Sequence, residues 1–305
     1  MLCLLFLYEI KTKESIIILL MEAKTQRVGP FEKRIHEIDL FRGFLILLVI
    51  LDHVFWGFAY YGNVWFGPEH PMVRFFSWYW TGIPREIIQP LALASFCFVS
   101  GISTSFSRNN WKRSIIMVIF WLIIAIGSNV IQLILNLNGI EAWIRVDLNI
   151  IGVLALCNLI YCFIQKRSWK AVLAAILIAW LMSSYFIPTL RNGLFNTVGG
   201  TVPESNRPGT FYNIPNVYFI LFWEYPAQAD YVPLFPFIIF FLFGALFSHF
   251  FYREKKQSLF PKRGEWERPI CFIGRHTLII YLSHFFIIRG IFFLITLLIT
   301  GQTVI

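Results

Sequence analysis

Apolar residues come in runs of about twenty along this chain, separated by short polar links. A helix rises 1.5 Å per residue, so such a run covers the ~30 Å of hydrocarbon in a bilayer. The runs at 43–61, 86–106, 114–135, 148–164, 169–186, 233–252 and 277–299 predict about seven transmembrane helices. Backbone polar groups in lipid must be satisfied within their own segment, which makes helices the default. The period-2 alternation of an outer-membrane barrel is absent. The expected fold class is all-α, a polytopic membrane helix bundle.

Composition strengthens that reading. Hydrophobic residues make up 57% of the 305 and charged ones only 14%, where a soluble domain carries about a quarter charged. The net charge of +9 could suggest nucleic acid. Its distribution instead follows the positive-inside rule. The N-terminal region through Arg42, the links after the second, fourth and sixth runs, and Arg275 hold 20 Lys and Arg, against 6 on the opposite side. That split places the N-terminus in the cytoplasm and the C-terminus outside, in a multi-pass cell-membrane protein. The five cysteines show no metal or redox spacing and read as small apolar core residues.

The opening run MLCLLFLY is too short to span and lacks a basic lead-in, so it makes a poor signal peptide. Residues 1–20 read as a mis-assigned start ahead of Met21. The organisation expected is a cytoplasmic segment over 1–37 and one transmembrane domain over 38–303. The long outward links, 62–85 and 187–232, are rich in Gly, Pro, Asn and aromatics. They read as structured functional loops or as interfacial aromatic belts. There is no inverted repeat and no Gly-rich phosphate loop.

Ionisable residues inside spans are costly and usually face a cavity or a partner. Asp39 is placed to cap the first helix. Arg42 follows at the inner mouth, and His53 lies eleven residues on, roughly 16 Å deeper and within about 20° of the same face. This stripe suits an anionic ligand held by Arg42 with its reactive end at His53; equally, Arg42 could snorkel to headgroups and His53 tie helices together. Asp52 is adjacent to His53, but neighbouring helical residues point about 100° apart. The last run repeats the arrangement: Arg275 and His276 at the mouth, then His284 roughly 12 Å deeper than His276, with Tyr281 on its face. Asp230, in Asp230-Tyr231-Val232-Pro233-Leu234-Phe235-Pro236, sits where a helix N-terminus favours a carboxylate.

Several of these segments resemble a known family. Ile38-Asp39-Leu40-Phe41-Arg42-Gly43, closed by His53, resembles the first helix of the transmembrane acyltransferases. Phe96-Cys97-Phe98-Val99-Ser100-Gly101-Ile102-Ser103, the Asp230 turn, and Gly274-Arg275-His276-Thr277 through Tyr281-Leu282-Ser283-His284 look like the bacterial branch of the heparan-α-glucosaminide N-acetyltransferase family. The matches run in family order over 38–288. The resemblance implies transfer of an acetyl group from cytosolic acetyl-CoA, as co-substrate and without a metal, to a sugar amine or hydroxyl on the far side. It implies a donor-side role for Arg42 and a catalytic one for His53, and it matches Arg275, His276 and His284 to the family's last-helix motif. Coenzyme A carries phosphates, so the basic inner mouth, Arg42, Arg275 and His276 with Lys112 and Arg113, is the candidate donor-binding set; Asp52 and Asp230 join His53 and His284 as candidate catalytic residues. Two departures bear on the site. The lysosomal member has Asn where His53 stands and its proposed histidine about eleven residues later, near Val64 here; the nearest histidine is His70. Bacterial relatives often open the fourth span with Leu-His, where this chain has Leu148-Asn149. The essential histidine therefore stays open between His53 and His284.

The partners implied are acyl-CoA, an extracytoplasmic glycan or glycolipid acceptor and the lipid bilayer, with a homodimer left open and no nucleic acid. Trp65, Trp78, Trp80 and Trp223 could stack on sugar rings or anchor the interface. Two rival readings share the pattern. One is a transporter or flippase for a small solute or lipid-linked glycan, since buried His and Asp suit proton relays. The other is a non-catalytic relative, which Asn149 would fit.

Overall fold

Every one of the seven apolar runs folds as helix. The structure, a computed structural model, describes residues 35–107, 109–139, 146, 148–186, 232–252 and 264–301. The elements are α1 (His36–Phe66), α2 (Pro71–Thr81), α3 (Ile83–Thr104), α4 (Asn110–Leu137), α5 (Ile150–Ile164), α6 (Trp169–Leu181), α7 (Leu234–Phe251), α8 (Glu267–Arg275) and α9 (Thr277–Thr300). A π-helical turn, Met182–Phe186, continues α6. No strand occurs among the described residues. Helices α3, α4, α7 and α9 are long and apolar enough to cross a membrane, and α5 and α6 are shorter apolar helices. The described residues form an all-helical, membrane-embedded bundle.

Its apolar surface is inverted relative to a soluble protein. Ile115, Ile119, Ile123 and Ile126 on α4 and Ile287, Ile291, Leu294 and Leu298 on α9 all point outward. Their three- and four-residue spacing draws a stripe along each helix, suited to lipid. The core lies between α3, α5 and α7, with Leu148, Val153, Phe241 and Leu242 fully buried.

Close backbone approach sets two crossings, as expected where lipid supplies no hydrophobic drive between helices. At α3–α7, a Cβ on Gly101 would strike the Phe241 carbonyl, and one on Gly244 would strike that of Phe98. At α1–α8, a Cβ on Gly43 would meet the Ile270 carbonyl, and one on Gly274 that of Asp39. The second crossing seats the short helix α8 against the start of α1. There, His36 Nδ1 lies 3.2 Å from Glu37 Oε2 and its Nε2 lies 3.9 Å from Glu267 Oε2. Arg275, the last residue of α8, is thereby brought beside the first turns of α1.

Two expectations need correction. The 62–85 link is largely helical: α1 runs on to Phe66 and α2 occupies Pro71–Thr81. His70 starts α2, its Nδ1 accepting from the Met72 backbone N–H at 3.4 Å, and Pro71 suits the first helical position. Asp39 does not cap α1, which begins at His36 with Ile35 in the cap position. Asp39 sits in the first turn and serves as an ion-pair partner instead.

Candidate active site

Four of the five expected donor-binding residues line one cavity. It has a volume of about 440 Å³ and is bordered by Arg42, Lys112, Arg113 and Arg275, with Ser100 and Asn109. Gly274, Thr277 and Tyr281 complete a wall that is otherwise apolar: Phe96, Ile116, Met117, Ile150, Ile151, Leu154 and Leu278. The cations come from three places: α1, the start of α4, and the end of α8. His276, the fifth expected residue, is exposed; its Nδ1–H donates to the Phe272 carbonyl at 2.9 Å. It is not part of the wall.

Each arginine is held in place. Arg42 Nη2 donates to Ser103 Oγ, whose own hydroxyl donates to the Val99 carbonyl at 2.6 Å. Arg113 Nη2 donates to Ser100 Oγ at 3.4 Å. Arg275 Nε donates to Asp39 Oδ2 at 3.1 Å, a pair largely shielded from solvent. Four cations thus gather around one cavity in a poorly solvated place. Such a pocket favours a polyanion. The Ser100, Ser103 and Asp39 contacts were not foreseen from sequence, although the two serines lie in the Phe96–Ser103 segment that carries the family resemblance.

The two candidate histidines meet. The rings of His53 on α1 and His284 on α9 pack edge to face with centroids 4.7 Å apart. Each has one nitrogen fixed: His53 Nδ1 is 2.9 Å from the Val49 carbonyl oxygen, and His284 Nδ1 is 2.6 Å from that of Tyr281. A carbonyl only accepts, so both Nδ1 atoms carry hydrogen. In the neutral rings the lone pair is then on Nε2. His284 is buried and His53 half-buried. Tyr281 links them to the cavity: it lines the wall, and its ring centroid lies 5.3 Å from that of His284.

Asp52 faces elsewhere. It accepts from Arg85 Nε at 3.1 Å and from the Tyr79 hydroxyl at 3.2 Å, tying α1 to α2 and α3. Burial, and after it the Asp52 carboxylate, push the Tyr79 phenol above its ordinary value. The Arg85 guanidinium in turn lies 3.6 Å over the Trp80 ring. Trp65 donates to Thr296 Oγ1 at 2.9 Å and stacks on Phe292, so it is used in α1–α9 packing. Trp78 is exposed. His70 is exposed and stacked on Phe66, away from the histidine pair's contacts. Asn149, where relatives have His, caps α5 by accepting from the Gly152 N–H at 3.0 Å. Asp230 and Trp223 lie outside the described residues.

The model of the family described as heparan-alpha-glucosaminide N-acetyltransferase, catalytic, matches residues 34–286. The matched stretch contains all four cavity cations and both histidines. No curated protein and no solved structure matches the chain.

Proposed function

We propose that this chain, which belongs to the heparan-alpha-glucosaminide N-acetyltransferase family and is on that ground a membrane acetyltransferase, takes its acyl group from acyl-CoA at the cationic cavity and passes it to a sugar amine or hydroxyl on the opposite face of the bilayer. One observation carries the reading: the cavity of Arg42, Lys112, Arg113 and Arg275 leads through Tyr281 to the paired His284 and His53.

The residues present suit that donor. Arginine forks and a lysine point charge are the usual phosphate ligands. The volume falls in the ~300–1,000 Å³ range of ligand sites. The apolar wall beyond the cations fits a long, mostly uncharged arm. When bound, acyl-CoA supplies an activated thioester.

The histidine pair supplies the base. Nε2 of one histidine takes the proton from the acceptor amine or hydroxyl as that atom attacks the thioester carbon. The carbon–sulfur bond breaks, and the same nitrogen returns the proton to the leaving thiolate. The Nδ1–H bond to a backbone carbonyl holds the ring's tautomer and orientation through both transfers. Asp52 acts at one remove, as a positioning group that fixes α2 and α3 beside the segment of α1 carrying His53. The basic excess on the cavity side supports a cytoplasmic donor.

The test is equilibrium binding of coenzyme A to the purified protein, with Arg275→Gln alongside. Binding that weakens in the variant and with rising salt supports the reading. A wild-type protein that ignores coenzyme A overturns it.

A further inference from the structure

At the end of α8 opposite Arg275 lies a second group of ionisable side chains, which the transfer reaction leaves unused. His36, the first residue of α1, is 3% exposed and sits between two carboxylates. Its Nδ1 is 3.2 Å from Glu37 Oε2, within hydrogen-bond length. Its Nε2 is 3.9 Å from Oε2 of Glu267, the first residue of α8, which is too long for one. Glu267 Oε2 is shielded from solvent and has no hydrogen-bond partner among the described residues. Tyr252, which closes α7, donates to Glu37 Oε1 at 3.3 Å, and Cys271 Sγ lies 3.6 Å from the His36 carbonyl oxygen. Asp39 is paired with Arg275, and Glu265 with Arg268 on an exposed face.

A neutral imidazole has one N–H, so it can serve only one of the two carboxylates, and the other faces its lone pair. An imidazolium donates from both nitrogens. A buried carboxylate without a partner is costly, so the second proton draws Glu267 to His36. Helix α8 has nine residues, about 12 Å from end to end. Gly43 and Gly274 seat its backbone directly on α1. A tilt at Glu267 is therefore carried along the helix to Arg275 in the cavity wall.

We propose that His36 and Glu267 are positioning residues for donor binding: the imidazolium ties Glu267 to α1, and α8 thereby holds Arg275 at the cavity. This rests on the reading of that cavity as the acyl-CoA site. The tie is made at lower pH, where His36 carries both protons, and is lost as pH rises. Donor affinity follows it.

The experiment titrates coenzyme A into the full chain in nanodiscs, as wild type, His36→Gln, Glu267→Gln, Arg275→Gln and the Glu267→Gln/Arg275→Gln double variant. Titrations are run at about pH 6 and about pH 8, on either side of ordinary imidazole titration. Between them, wild type loses roughly fivefold more affinity than His36→Gln, the low end of coupling between sites. The His36→Gln slope carries the share due to the ligand's own phosphates. At the lower pH, Glu267→Gln binds roughly fivefold more weakly than wild type. Added to Arg275→Gln, it changes affinity by less than about twofold, because its effect runs through that arginine. Equal pH dependence in wild type and His36→Gln overturns the inference. So does a Glu267→Gln loss that persists in full without Arg275, the mark of a general structural role. Amide-exchange protection over 267–275, measured without ligand, reads the tie by itself: it falls in Glu267→Gln, and unchanged protection overturns the inference. A wild type that ignores coenzyme A while that protection still responds sinks the acyl-CoA reading and supports the tie.

Discussion

Truncating Arg42 separates donor binding from folding, because its surroundings tolerate the loss. Arg42 donates to Ser103 Oγ, and that hydroxyl already donates to the Val99 carbonyl. Removing the guanidinium therefore strands no buried hydrogen on Ser103. The neighbouring cation Arg113 is relieved of a like charge rather than deprived of a partner. The stability cost of Arg42→Ala should be within about 1 kcal/mol, the range of an ordinary replaced hydrogen bond. Donor binding should lose more. A hydrogen bond to a charged group contributes ~1.5–3 kcal/mol, so coenzyme A affinity should fall by about 10- to 150-fold. Arg42→Lys should lie between, keeping the charge and losing the fork. The assay is calorimetric titration of coenzyme A into nanodisc samples, with thermal melting of the same preparations. Unchanged affinity in Arg42→Ala refutes the reasoning. A loss of affinity that merely follows a collapsed melting temperature refutes it as well.

Three further outcomes follow from the same contacts. His53→Ala and His284→Ala should each keep coenzyme A binding; the one that serves as base should lower acetyl transfer by about 10²–10⁴-fold, measured with radiolabelled acetyl-CoA. Gly274→Ala pushes a methyl into the Asp39 carbonyl, so it should destabilise by ~1–3 kcal/mol and raise the donor KM through displaced Arg275; a normal KM in a well-folded variant would count against that coupling. Asp52→Asn removes the charge that holds Arg85 and Tyr79, costing about 3–5 kcal/mol if the pair behaves as buried and less in proportion to its residual exposure; melting in detergent reads this directly, and coenzyme A binding should be unaffected.

Much of this was legible in the sequence because bilayer length and helix geometry are strong constraints. Twenty-residue apolar runs have few alternatives to helix, and all seven fold that way. The Arg42–His53 stripe follows from eleven steps along one helix. The last run repeats it with Arg275 and His284, at comparable depth. What stayed hidden depends on how helices meet. Nothing in the spacing says that Gly43 and Gly274 let α8 ride against α1, so the Asp39–Arg275 pair was invisible and Asp39 read as a cap. His276 shares its mouth position with Arg275, yet α8 ends between them and turns the histidine outward. Asp52 sits beside His53 in sequence and faces α2 and α3 in space. Helix α2 itself was masked by Pro71, Gly82 and clustered aromatics that read as a loop.

The central claim is that one face of the membrane supplies the acyl group and the other receives it. It is tested most directly with proteoliposomes of fixed protein orientation, with labelled acetyl-CoA confined to the cavity side and an amino sugar confined to the opposite side. The account predicts labelled, acetylated sugar in the sugar compartment, lost in Arg42→Ala and in the variant lacking the base histidine. Acetylation that occurs only when donor and sugar share a compartment would contradict it.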